Sequence, residues 1–107
     1  LLTGKVTMDR KFSEGDLRTS RPWFQPQNRA RVLEALARVQ PLAGKYACTL
    51  AQLCVNWVIS QKGITSAIVG ARNVQQAREN AGAAGFTMEQ ADLAFIRETF
   101  QALGNPR

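Results

Sequence analysis

Apolar side chains at Val32, Leu36, Val39, Ala43 and Tyr46 recur every three or four residues, the spacing that lines one helix face, and predict a helix over 28–46. Pro41 lies inside that run. It lacks an N–H and its ring crowds the preceding turn, so it should kink the helix or split it in two. Thr49 and Gln52 have capping-box spacing, and Leu50, Leu53, Trp57 and Val58 carry an apolar face from there to about Ser60. Lys62-Gly63 ends this second helix, which closes a helical region spanning 28–61. Thr65–Val69 is the one convincing strand. Asn73 with Gln76 then starts a short helix that fades at Gly82 and Gly85. Thr87 with Gln90 opens a last helix, over 87–103, with Leu93, Ile96, Phe100 and Leu103 on one stripe and Gly104 and Pro106 beyond it. Residues 1–27 hold Gly4, Gly15, Pro22 and Pro26 among many charges and show no sustained period, which reads as a long loop.

This pattern is incomplete as a fold. Ser66-Ala-Ile-Val69 is small or apolar throughout, as in a parallel-sheet strand buried on both faces. A lone strand leaves its N–H and C=O groups unpaired, which is costly away from water. Its neighbours must come from the remainder of a larger α/β protein, the favoured reading, or from another copy of the chain.

Composition narrows the chemistry. At 107 residues the chain is one domain at most, and no apolar run approaches the about 20 residues that a membrane-crossing helix needs. Lys5, Asp9, Arg10 and Lys11 interrupt the first stretch too early for a signal peptide. Cys48 and Cys54, with no histidine anywhere, cannot make a zinc site, and they read as small buried hydrophobes in a reducing cytoplasm. A net charge of +6 suits an anionic partner, but Arg29, Arg31, Arg38 and Lys45 interleave with apolar positions in the manner of a solvated helix face. No aromatic platform or finger motif points to nucleic acid. Without histidine no serine has a suitable base, Tyr46 lies on a packing stripe, and Glu79, Glu89 and Asp92 occupy positions suited to capping and dipole effects. The chain reads as a binding surface without a catalytic centre.

The candidate site is the run from Ile64 to Asn80. A strand fixes position, Gly70 lets backbone approach a ligand, and the helix after it offers unpaired N–H groups. Arg72 adds a planar cation able to hold a phosphate with two hydrogen bonds. With a helix from about Asn73, Arg72, Gln76, Glu79 and Asn80 share a face. The plainer reading is an ordinary strand–glycine–helix junction capped by Asn73 and Gln76.

Three stretches resemble the aldo-keto reductases. Leu1-Leu-Thr-Gly-Lys5 resembles that family's loop after the seventh barrel strand, and Thr49–Val58 its helix before the last strand. Ile64–Asn80 resembles its eighth strand, glycine turn and following helix, and the closing Phe86–Leu93 segment fits as well. The resemblance implies an α/β chain that is a C-terminal fragment, about a third, of a (β/α)8 barrel, closest to the bacterial branch that includes potassium-channel β-subunit relatives. It implies NADP(H) as cofactor: Lys5 and Arg18 toward the phosphates, Gly70 beside the adenosine end, Arg72 with Gln76 at the 2′-phosphate, and Glu79 and Asn80 at the adenine or ribose. The family reaction is hydride transfer between NADPH and an aldehyde or ketone. Its catalytic tyrosine, aspartate, lysine and histidine have no counterpart here, so this chain alone is not expected to be active. The alternative is a small non-catalytic nucleotide-binding or self-assembling protein.

Overall fold

The computed structural model describes all residues, Leu1–Arg107. Its four α-helices begin and end for local reasons. Helix α1 (Pro26–Lys45) opens on a proline, whose missing N–H would have had no intrahelical partner anyway. It buries Val32, Ala35, Leu36, Val39 and Ala43 and runs unbroken through Pro41, so the predicted split does not occur. Ala37 and Pro41 are both exposed, which leaves the Ala37 carbonyl open to water, and the ladder resumes with Tyr46 N–H donating to Leu42 O at 3.0 Å. Helix α2 (Leu50–Ile59) has the predicted capping box: Gln52 N–H donates to Thr49 Oγ1 at 3.1 Å and Thr49 N–H to Gln52 Oε1 at 2.9 Å. Helix α3 (Val74–Gly82) is capped by Asn73.

Helix α4 (Gln90–Gln101) departs from expectation at its start. The Thr87–Gln90 box does not form; Glu89 stands at the cap with no side-chain bond to the helix. Tyr46 replaces it. Its ring stacks on Phe86, centroids 5.6 Å apart, and its hydroxyl accepts from Glu89 N–H at 2.9 Å while donating to the Asp92 carboxylate.

The core is formed by Val32, Leu36 and Val39 of α1, Leu53 of α2, and Met88, Leu93 and Ile96. Trp57 fastens α2 to α4 through its indole N–H and Leu93 O, at 3.0 Å. Helix α3 lies so close to α2 that a Cβ on Gly82 would stand 2.5 Å from Gln52 Nε2, which itself donates to Glu79 O. Asn56 of α2, fully buried, donates to Ala83 O and Phe86 O and so holds the end of α3.

The strand over 65–69 is absent. That segment has no ladder partner in the chain, and without one an extended run cannot become a strand. Nor is it buried on both faces: Ile68 is fully exposed and Val69 and Ile64 nearly half so. With α2 and α4 it borders an apolar groove of about 820 Å³, into which Leu2, Val58 and Phe100 also face. The radius of gyration, 14.4 Å, exceeds the about 13 Å of a closed domain of this length, in keeping with an uncovered side. No helix is long and apolar enough to cross a membrane.

Two other expectations need correction. Cys48 and Cys54 are free thiols, as expected, but only half-buried; burial still pushes the Cys54 thiol up to about 11. Arg29 is not on a solvated face; it is buried, and Arg31 is half-buried, because the loop before α1 and the C-terminal tail fold over them.

Asp92 carries a pH-dependent increment of stability. Hydrogen bonds from Lys45 Nζ (2.7 Å) and from Tyr46 hold its carboxyl below the ordinary 3.8. A depressed native value stabilises above 3.8 and is lost as the pH falls through the native value. Lys45 stands in water, so the contribution should be below about 1 kcal/mol. The melting-temperature gap between the wild type and Asp92→Asn should close on acidification below 3.8; a gap constant with pH would show the carboxylate charge to be irrelevant.

Candidate functional site

The Gly70–Asn73 turn is held by two side chains of the helix that follows it. Gln76 Oε1 accepts from Arg72 N–H at 2.8 Å, and Asn80 Nδ2 donates to Gly70 O at 3.0 Å. Asn73 Oδ1 accepts from Gln76 N–H at 2.9 Å. The capping residue thus fixes the helix start, and the next turn of α3 reaches back to fix the loop. Gln76 serves the N–H of Arg72 rather than that of Asn73, one residue earlier than a capping box would have it.

What this arrangement leaves free matters most. The Arg72 guanidinium is exposed and makes no hydrogen bond or ion pair. The N–H groups of Val74 and Gln75 have no acceptor in the chain, as in any helix first turn. Gly70 does not have a positive φ, and a Cβ added there would meet nothing within 4 Å. The chain's own packing therefore does not require glycine at this position, and the space before its backbone is open. A planar cation, free helix-start donors and an uncrowded backbone together can accept a phosphate.

The other predicted residues are distributed differently. Gln76 and Asn80 join Gly70 and Arg72. Glu79 lies on the neighbouring face toward α2, where it borders a polar recess with Thr49, Gln52, Val74, Gln75 and Arg78. Lys5 is exposed and unpaired, and it makes no bond to the turn. Arg18 is exposed but engaged: Nε and Nη2 grip the Asp16 carboxylate at 3.0 and 2.6 Å, and its guanidinium carbon stands 4.5 Å from the Phe12 ring centroid. Those bonds hold the Asp16 carboxyl down to about 2. A phosphate reaching Arg18 would have to share it with Asp16.

Sequence reasoning missed the supports behind the turn. Gln52 both completes a cap and carries α3; Asn56 anchors the segment after it. The available signal was a polar Asn56 one residue from Trp57 on an otherwise apolar face. No group of histidine, cysteine, aspartate or glutamate side chains is placed to hold a metal ion.

Comparison with known proteins identifies the family. The sequence matches the Aldo/keto reductase family over residues 1–100. It is 36% identical over 103 residues to the NADH-specific methylglyoxal reductase of Escherichia coli (strain K12), covering 96% of this chain and 31% of that protein. Aldo-keto reductase YhdN of Bacillus subtilis (strain 168) is 33% identical over 93 residues, 86% of this chain and 28% of the relative. The Schizosaccharomyces pombe (strain 972 / ATCC 24843) aldo-keto reductase yakc, whose name carries NADP(+), is 31% identical over 97 residues, 91% of this chain and 28% of the relative. The chain thus spans about a third of the length of these curated relatives. With a match that runs over nearly every residue described above, the chain belongs to the aldo/keto reductase family.

Proposed function

We propose that this chain supplies the cofactor-binding end of an NADP(H)-dependent aldo-keto reductase, as the C-terminal part of its barrel. The family uses nicotinamide cofactors, which carry the hydride when bound. The observation that carries the reading is the Gly70–Arg72 turn, fixed by Gln76 and Asn80 yet leaving the arginine fork and the space over Gly70 free. Arg72 holds the adenosine 2′-phosphate, Gln76 sets the backbone that carries it, Asn80 contacts the adenine or its ribose beside Gly70, and Glu79 does so from the adjoining face of α3. Lys5 and Arg18 serve the remaining phosphates.

The unpaired 65–69 segment favours a barrel neighbour on either side of it, since eight strands are needed to close one. The acid and its helpers, and with them reduction of an aldehyde or ketone, belong to those neighbouring elements. Pairing with a second copy is the other way to cover the same segment. Size-exclusion chromatography separates the two, because self-pairing makes the apparent mass rise with concentration.

Relatives differ in the cofactor that their names carry, NADH in one and NADP(+) in another. Arg72→Glu tests the assignment. Charge-assisted hydrogen bonds contribute about 1.5–3 kcal/mol each, so NADPH affinity should fall roughly 10- to 100-fold, with NADH much less affected. Equal loss for both cofactors would mean that Arg72 does not read the 2′-phosphate.

A further inference from the structure

Arg29 is a buried cation with no carboxylate partner. Only 7% of it is exposed, and all its hydrogen bonds go to backbone carbonyls. Nη1 donates to Thr7 O, Met8 O and Arg10 O at 3.2, 3.0 and 3.0 Å; Nη2 donates to Phe24 O at 2.8 Å. Four carbonyls from both ends of one loop therefore converge on one side chain of α1. Only a rigid, permanently charged fork can serve both groups at once; a lysine is one point charge and sheds its proton when buried.

The contact continues into the loop. The Arg29 guanidinium carbon stands 5.5 Å from the centroid of Phe12, the ring that also carries Arg18 at 4.5 Å, and Phe12 meets Phe24 edge-on at 5.7 Å. We propose that Arg29 is the positioning residue of the Thr7–Phe24 loop: it fixes the loop to α1 and, through Phe12, sets the place of Arg18. Its consequence for cofactor binding rests on the phosphate role given to Arg18 above; its hold on the loop does not. Arg29 itself touches no ligand.

Trypsin digestion of the full chain, followed by mass spectrometry, reads the loop directly, because Arg10, Lys11 and Arg18 are exposed and followed by cleavable bonds. Arg29→Met should speed cleavage after Arg10 and Lys11 by about tenfold or more, since proteolysis follows the population of the open form, while cleavage after Arg97 in α4 stays unchanged. Arg29→Lys should restore part of the protection, by reaching the Thr7, Met8 and Arg10 carbonyls but not that of Phe24. Wild-type protection in Arg29→Met overturns the proposal. Should that variant unfold, Phe12→Ala decides: it leaves the carbonyl cage intact and should free Arg18 alone, and unchanged cleavage after Arg18 overturns the relay. Titration with NADPH separates this from the function proposed above. Arg18→Ala and Arg29→Met should weaken binding by the same factor and no further when combined. Loss with Arg18→Ala alone overturns the relay. An opened loop with unchanged NADPH affinity in both variants supports the hold of Arg29 on the loop and removes Arg18 from the phosphate site.

Discussion

Leu53→Ala should lower the unfolding free energy by about 3–4 kcal/mol, near the middle of what a buried leucine truncation removes. Leu53 is 1% exposed, sits at the middle of α2, and belongs to the one cluster that joins α1 to α4. Two losses add there: the transfer of the missing methyl groups, and the cavity that Val39 and Ile96 cannot close without moving their helices. Few other contacts compensate, because 15 of 107 residues are buried, so one void removes a large share of the core. Against a total stability of about 5–15 kcal/mol this approaches unfolding. Val58→Ala provides the contrast on the same helix. Val58 is 39% exposed and borders the open groove, and its truncation should remove less than about 1 kcal/mol. Urea titration followed by the emission of Trp23 and Trp57, both packed against this core, measures both. Equal losses would mean that the groove is covered in solution and that the core extends across it.

The two residues also show why some of the fold was legible from sequence and some was not. A helix closes its hydrogen bonds within itself, so Thr49 with Gln52, the Val32–Ala43 stripe and Asn73 with Gln76 specify their elements locally, and all three are found. Strand formation depends on a neighbour, and 65–69 has none in this chain; its apolar pattern was real but had nothing to pair with. Thr87–Gln90 failed for a related reason. Tyr46, forty-three residues before Glu89, already serves the N–H at that helix start. Arg29 was indistinguishable from Arg38 by spacing, because its burial depends on a loop with no period of its own. The Gly70–Asn80 turn was readable because every bond that fixes it spans ten residues or fewer. Lys5 makes no bond to that turn and Arg18 is held by Asp16 and Phe12, an arrangement that spacing does not encode.

Asn56→Asp should cost about 3 kcal/mol or more at neutral pH and should loosen the candidate site, weakening NADPH more than NADH. The Asn56 amide is 2% exposed and donates to Ala83 O at 2.8 Å and Phe86 O at 2.7 Å, while its own oxygen accepts from Ser60 Oγ at 3.2 Å. A carboxylate in its place would aim negative oxygens at two carbonyls and lose both donors. Burial and those carbonyls favour the neutral acid, which raises the native pKa of the introduced carboxyl above its unfolded value of about 3.9. The sign follows: the penalty is full above the raised native value and shrinks as the pH falls toward the unfolded one, since protonation removes the charge and restores one donor. Asn56→Leu leaves the same carbonyls unpaired without a charge, so its loss should be about 2 kcal/mol and independent of pH. Both variants release the segment from Ala83 to Phe86 that ends α3, the helix whose Gln76 and Asn80 hold the Arg72 turn. Displacing that helix disturbs the Arg72 contact, which only NADPH makes, together with the adenosine contacts that both cofactors make. Asn56→Leu should therefore weaken NADPH more than NADH, in the same direction as Arg72→Glu, and should lower stability as well, which exposed Arg72→Glu should not. An unchanged NADPH-to-NADH ratio in a folded Asn56→Leu would place the 2′-phosphate contact elsewhere than on this turn.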